Sequence, residues 1–159
     1  MQDLREDRSA WSTANCSIAR AMDVVGSRSA MLVMREAMLG TRRFDDFVRH
    51  VGIGEPAMAA RLKELVAAGL FERFPYREQG QRTRYEYRLT RKGQELLPVI
   101  TALRQWGDNW AADEAGPSVV ATHRGCGHPV RAVLRCEQGH DIADGEIDIV
   151  AGPGLIRRA

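Results

Sequence analysis

A mainly α fold with a small antiparallel β-wing, followed by a short β-ribbon-like C-terminal appendage, is the fold class this sequence predicts. Three observations carry it. Apolar residues recur at helical spacing in successive segments between residues 13 and 112. Two strand-like runs, Leu70 to Tyr76 and Arg84 to Leu89, flank a polar loop with one glycine, which is how a hairpin reads. Beyond Pro117 the pattern changes to short alternating pieces, SVVATH, VRAVLRC and EIDIVAG.

The elements follow in order. The first helix is expected over Thr13 to Val25, with Ile18, Met22 and Val25 on one apolar stripe, and Gly26 stops it. Ser27 is placed to cap a second helix, Arg28 to Leu39, along which Met31, Leu32, Met34 and Met38 lie, with Gly40 just past its end. A short helix, Phe44 to Val51, turns Phe44, Phe47 and Val48 inward. Gly52-Ile53-Gly54 makes a tight turn, and Pro56 suits the first turn of the next helix, Glu55 to Ala68. After the hairpin, Thr90 caps a long last helix, Arg91 to Ala112. Leu96, Val99, Ile100, Leu103, Trp106 and Trp110 share one arc of it, and Pro98 is expected to kink it. The expected division is a flexible segment 1–12, a domain over 13–115, a β-rich appendage over 118–152 and a flexible tail over 153–159.

Bulk properties narrow the class. A chain of 159 residues with 44% apolar content can build a proper core. No run of 18 apolar residues occurs, so no membrane partner is expected. The opening MQDLREDRSAW is charged, so no secretory signal is read there. Three scattered cysteines do not make a disulfide framework. The expectation is a cytoplasmic protein with reduced thiols and no cofactor.

Charge is distributed unevenly. Arg42 to Lys92 holds 12 Lys and Arg against 7 Asp and Glu, while the remainder holds 11 against 14, so a net charge of +2 conceals a basic domain. Helix, tight turn, helix, hairpin is the order of a helix-turn-helix with a β-wing, and a basic one has the electrostatic footprint of duplex-DNA binding. On the helix from residue 55 to 68, Met58, Leu62, Leu65 and Val66 form the core side. Pro56, Ala57, Ala60, Lys63 and Glu64 face away, with Arg61 on the flank. Such a helix fits the major groove, where Ala57 and Ala60 suit thymine methyls and Arg61 and Lys63 are the strong readers. In the wing, residues 76–84, Arg77, Arg82 and Arg84 are expected on the backbone or in the minor groove, and Arg42 and Arg43 join the phosphate contacts. Tyr76, Tyr85 and Tyr87 are read as cross-strand packing rather than base stacking.

Cys16-Ser-Ile-Ala-Arg-Ala, Val25-Gly26, Arg35-Glu36, Gly40-Thr-Arg-Arg-Phe44-Asp-Asp-Phe47, Gly52-Ile53, Arg61-Leu62-Lys-Glu-Leu65, Gly69-Leu, Glu72-Arg73, Tyr76, Tyr87-Arg-Leu-Thr90-Arg-Lys-Gly93 and Leu97-Pro98 run in order over Cys16 to Trp110. Together they resemble the HxlR-type winged helix-turn-helix regulators of the MarR-like superfamily. The resemblance implies a prokaryotic homodimeric transcription factor, such as a repressor, on a near-palindromic operator. It also implies a dimer interface from the first and last helices, here Ile18, Met22, Leu96, Val99, Ile100, Leu103, Trp106 and Trp110. Two departures stand out. Ser29 occupies a position where the family usually has tryptophan, which is expected to loosen packing there. The region Gln79 to Gln81 lacks the usual proline, which is expected to loosen the wing tip.

Cys16 falls off the apolar stripe of its helix with Arg20 at i+4, an arrangement that favours thiolate. Some relatives of this type sense oxidants or electrophiles through an N-terminal cysteine, so Cys16 is a redox-sensing candidate, with packing at the interface as the alternative. A small-molecule or electrophile effector fits the same picture. In the tail, His123, Cys126, His128, Cys136 and His140 are ligand types for tetrahedral zinc. The second pair is not a Cys-x-x-Cys knuckle, and Gly125 and Gly127 serve turns, so the reading is a ribbon without metal. No acidic cluster or phosphate-cradling loop supports an enzyme. A protein-interaction module that has lost DNA binding is the more distant alternative, opposed by the wing arginines.

Overall fold

The computed structural model describes residues 11–80 and 82–156. Most of the expected N-terminal segment, Gln81 of the wing loop and the last three residues lie outside them. The chain divides into two compact units, one from Gly26 to Ala132 and one combining the segment up to Val25 with that from Val133 onward.

Among the described residues the larger unit holds five helices and a hairpin, and the first helix of the chain belongs to the other unit. The elements in chain order are α1 (Ser17–Val25), α2 (Arg28–Met38), α3 (Phe44–Val51), α4 (Glu55–Ala67), β1 (Phe71–Tyr76), β2 (Arg84–Leu89), α5 (Arg91–Gln94) and α6 (Leu97–Trp110). Local chemistry explains most boundaries. Ser27 Oγ accepts the Ala30 N–H at 3.1 Å, capping α2. Gly52 ends α3 in the left-handed conformation, φ 72°, which a residue with a Cβ resists. Pro56 sits in the first turn of α4, where its missing N–H costs no bond.

Two expected helices differ in extent. The first begins only at Ser17, because residues 13–15 form a turn in which Cys16 N donates to Thr13 O at 2.9 Å. The single last helix is instead two, α5 and α6, separated at Glu95 and Leu96. Pro98 has no N–H and clashes with the preceding turn inside a helix, so the chain restarts with Pro98 in the first turn of α6. The kink expected at Pro98 is therefore a full break.

Met34, Phe47, Met58, Leu62, Leu65, Leu70 and Phe71 form the core of the Gly26–Ala132 unit with Ala30 and Val33. Phe47 meets Phe71 and Tyr87 edge-on, with centroids 6.2 and 6.3 Å apart, each pair worth about 0.5–1.5 kcal/mol beyond burial. Among the described residues Glu36 is the buried charged one. Its Oε1 accepts from Arg35 Nε and Nη2, at 3.1 and 2.6 Å, and its Oε2 accepts from Thr41 Oγ1 at 3.3 Å. His50 Nδ1 lies 3.3 Å from the same Oε2, so α2, the following loop and α3 are tied through one carboxylate.

Gly93 makes the closest approach in the unit. A Cβ there would sit 2.3 Å from the carbonyl oxygen of Leu70. Thr90 holds this junction from both sides, its N–H donating to Leu70 O at 3.0 Å and its Oγ1 accepting from Gly93 N at 3.1 Å.

The appendage forms fewer strands than its alternating sequence suggests. Among the described residues past α6 it has isolated bridges, Thr122 to Pro129 and Arg135 to Asp141, each closing a tight turn. Gly127 and Gly139, both with positive φ, occupy those turns, so the chain reverses before a longer ladder can form.

Candidate nucleic-acid interface

Helix α4 presents the face that its sequence predicts. Met58, Leu62 and Leu65 are buried, whereas Pro56, Ala57, Ala60 and Lys63 are exposed. Spacing of four and three residues between the large apolar groups turns one side to α2, α3 and β1 and leaves small side chains outward. Small groups let a helix backbone approach a partner closely, and Lys63 adds a charge without a salt-bridge partner among the described residues.

Arg61 is engaged within the protein. Its Nε donates to Ser29 Oγ at 3.0 Å, and its Nη1 pairs with Glu64 one turn on. Ser29 thus supplies a polar brace between α2 and α4. No periodicity argument signals such a bond, since the partners lie 32 residues apart.

The hairpin pairs Phe71 with Leu89 through Tyr76 with Arg84. It is fastened to the helices along the free edge of β2. Arg43 bridges to Glu86, and Tyr87 N donates to Arg42 O at 2.8 Å. Two ion pairs add to this, Arg43 with Glu78 at 2.9 Å and Arg84 with Asp45 at 3.2 Å. The backbone of residues 42–43 therefore makes an isolated antiparallel bridge to β2, which the sequence reading missed because two residues are too few for an alternation to register.

The wing aromatics serve as stacking platforms for arginines of the same protein. Arg43 lies over Tyr76 (4.8 Å), Arg73 over Tyr85 (4.0 Å) and Arg88 over Phe74 (4.6 Å). Stacking of this kind contributes roughly 0.5–1 kcal/mol at exposed sites. Arg43, Arg73 and Arg88 are thereby oriented, while Arg42 and Arg82 are exposed and have no ion pair among the described residues. Arg77 follows β1 directly.

Elsewhere, α6 has no buried residue, and Leu97, Val99, Leu103, Trp106 and Trp110 are each more than half exposed. Leu96 and Ile100 are intermediate. On α1, Ile18 is 75% and Met22 56% exposed. Cys16 immediately precedes α1, half-buried, and its carbonyl accepts from Arg20 N at 3.0 Å. His123 Nδ1 lies 3.2 Å from Cys126 Sγ in the first tail turn, and His128 Nδ1 lies 3.0 Å from the Cys126 carbonyl. The second turn runs from Cys136 to His140, whose carbonyl accepts from Cys136 N.

Comparison with known proteins places these features in a family. The HxlR-like helix-turn-helix family matches residues 24–115. An HTH-type transcriptional regulator of Mycobacterium tuberculosis is 39% identical over 140 residues, 87% of each chain. Among solved structures, PA1607, described as a candidate transcription factor, aligns with a TM-score of 0.77 and 34% identity over 87% of this chain and 96% of its own. The redox regulator HypR in its oxidised form aligns with a TM-score of 0.56 and 26% identity over 62% of this chain and all of its own.

Proposed function

Because the chain belongs to the HxlR-like helix-turn-helix family of transcriptional regulators, we propose that it works as a homodimer on a near-palindromic duplex-DNA operator. Helix α4 enters the major groove, and the wing, residues 76–84, lies on the backbone or in the minor groove. The observation that carries the reading is the α4 face of Pro56, Ala57, Ala60 and Lys63, open beside a wing fastened to α3. Small side chains allow close approach but read few base edges. Arg42, Arg43, Arg77, Arg82 and Arg84 then supply phosphate registration, and DNA shape supplies part of the specificity.

Dimerisation is supported by α6, a 14-residue helix with no buried residue and two exposed tryptophans. An apolar stripe of that size in water favours association with a second copy. Leu96, Val99, Ile100, Leu103, Trp106 and Trp110 line that side, and Ile18 and Met22 of α1 contribute to the interface. Two reading heads then address half-sites about 34–36 Å apart.

A random-pool selection followed by binding titrations at several salt concentrations tests the reading. Enriched near-palindromes, a dimer at micromolar protein and a steep loss of affinity with salt are expected. A monomer, or binding insensitive to salt, would sink it. A second reading, thiol sensing through Cys16, is favoured by the position of that cysteine at the head of α1 and by the resemblance to a redox regulator.

A further inference from the structure

Away from the proposed DNA-binding face, the described residues hold three free cysteines in unlike settings. Cys16 and Cys136 are half-buried, and neither Sγ has a hydrogen-bond partner among the described residues. Cys126 is exposed, and its Sγ lies 3.2 Å from His123 Nδ1. It also lies beyond residues 24–115, the span that the family matches.

The turn itself builds this pair. His123 N donates to His128 O at 2.9 Å, while Cys126 N and Gly127 N donate back to His123 O at 3.2 and 2.7 Å. Gly127, at φ 73°, takes the left-handed conformation that closes the turn. Gly125 makes room for the imidazole, since a Cβ there would stand 2.9 Å from His123 Cε1. The His123 ring thus folds over its own turn and reaches the thiol three residues on. His128 is engaged with the backbone instead, its Nδ1 3.0 Å from the Cys126 carbonyl oxygen. Residues 115–136 contain no Asp or Glu, so no carboxylate of this segment competes with the thiol for His123.

We infer that Cys126, with His123 as its base, is the site at which this chain is modified by α,β-unsaturated carbonyl compounds. With Nδ1 unprotonated, His123 takes the thiol proton as Sγ bonds to the β-carbon of the reagent. The π electron pair of the C=C bond moves towards the carbonyl oxygen as an enolate. The imidazolium then returns its proton to the α-carbon. Thiol and alkene end in one adduct, with no leaving group and no oxidant. A disulfide would need an oxidant and a second thiol, and Cys126 is the one cysteine of the Gly26–Ala132 unit.

No DNA is needed for the test, which treats the reduced full-length protein with limiting N-ethylmaleimide, an α,β-unsaturated imide. Proteolysis and mass spectrometry over a time course give a labelling rate for each cysteine. Cys126 is expected to react at least about tenfold faster than Cys16 or Cys136, below the roughly 10²–10⁴-fold a well-placed base supplies. His123→Gln should slow Cys126 about tenfold and leave the other two rates as they are. His128→Gln should change none of them. Gly125→Ala, whose methyl displaces the imidazole without removing it, should slow Cys126 as well. Earlier labelling of Cys16 or Cys136 overturns the site. An undiminished Cys126 rate in His123→Gln or Gly125→Ala overturns the part given to His123 and leaves exposure as the cause. Where circular dichroism shows that His123→Gln has lost its fold, Gly125→Ala decides alone.

Discussion

Arg61 of α4 is held by Ser29 of α2, Nε to Oγ at 3.0 Å. The flank of the proposed reading helix is thus set by a polar bond to the helix behind it. That bond links the Arg61 side chain to α2. Ser29→Ala is expected to cost about 0.5–1.5 kcal/mol of stability in urea denaturation, the usual net value of one hydrogen bond, and to leave base preference as it is. Arg61→Ala should cost roughly 1–3 kcal/mol of operator binding and relax preference at one or two base pairs, as a bidentate guanine contact would. If Arg61→Ala loses stability but keeps every base preference, the residue is a brace only.

The wing arginines separate from α4 in their expected effect. Arg82→Ala and Arg84→Ala should weaken binding to all sequences about equally and flatten the salt slope by roughly one unit each. The Arg84 pair with Asp45 is half-exposed, so its loss should leave stability within about 0.5 kcal/mol. Filter binding across a salt series on operator and unrelated DNA measures both. Undiminished binding by both variants would remove the wing from the interface.

Gly93→Ala probes the junction of α5 with β1. The added methyl meets the Leu70 carbonyl at 2.3 Å, and backbone on both sides has to move. A loss of about 1–3 kcal/mol is expected, although alanine is the better helix former. Thermal denaturation reports it, and a variant as stable as the parent would show that the junction yields.

Cys16 allows a chemical test. If it senses oxidants, diamide should lower operator affinity reversibly with thiol, and Cys16→Ser should bind normally and ignore the reagent. A change at the head of α1 need shift two reading heads by only a few ångströms to misregister them. An equal response in the serine variant directs attention to Cys126 and Cys136; no response in either makes Cys16 a packing residue.

Local signals made much of this protein readable in its sequence. Ser27, Gly52, Pro56 and Thr90 mark helix ends because capping and φ preferences act within a few residues. The apolar period of α4 determined which side is buried, and β2 matched its expected limits, because alternation and a glycine loop are short-range chemistry. Tertiary structure decided the rest. Glu36 is buried because Arg35, Thr41 and His50 converge on it, and no linear pattern records three partners meeting from separate elements. Arg43 forms its bridge only by meeting the edge of β2. Arg61 turned to Ser29, Arg73 to Tyr85 and Arg88 to Phe74, so which cations are held and which remain open depended on neighbours that only folding supplies. Sequence spacing determines the side of an element on which a charge lies, whereas its partner is determined by distances that exist only once the elements have packed.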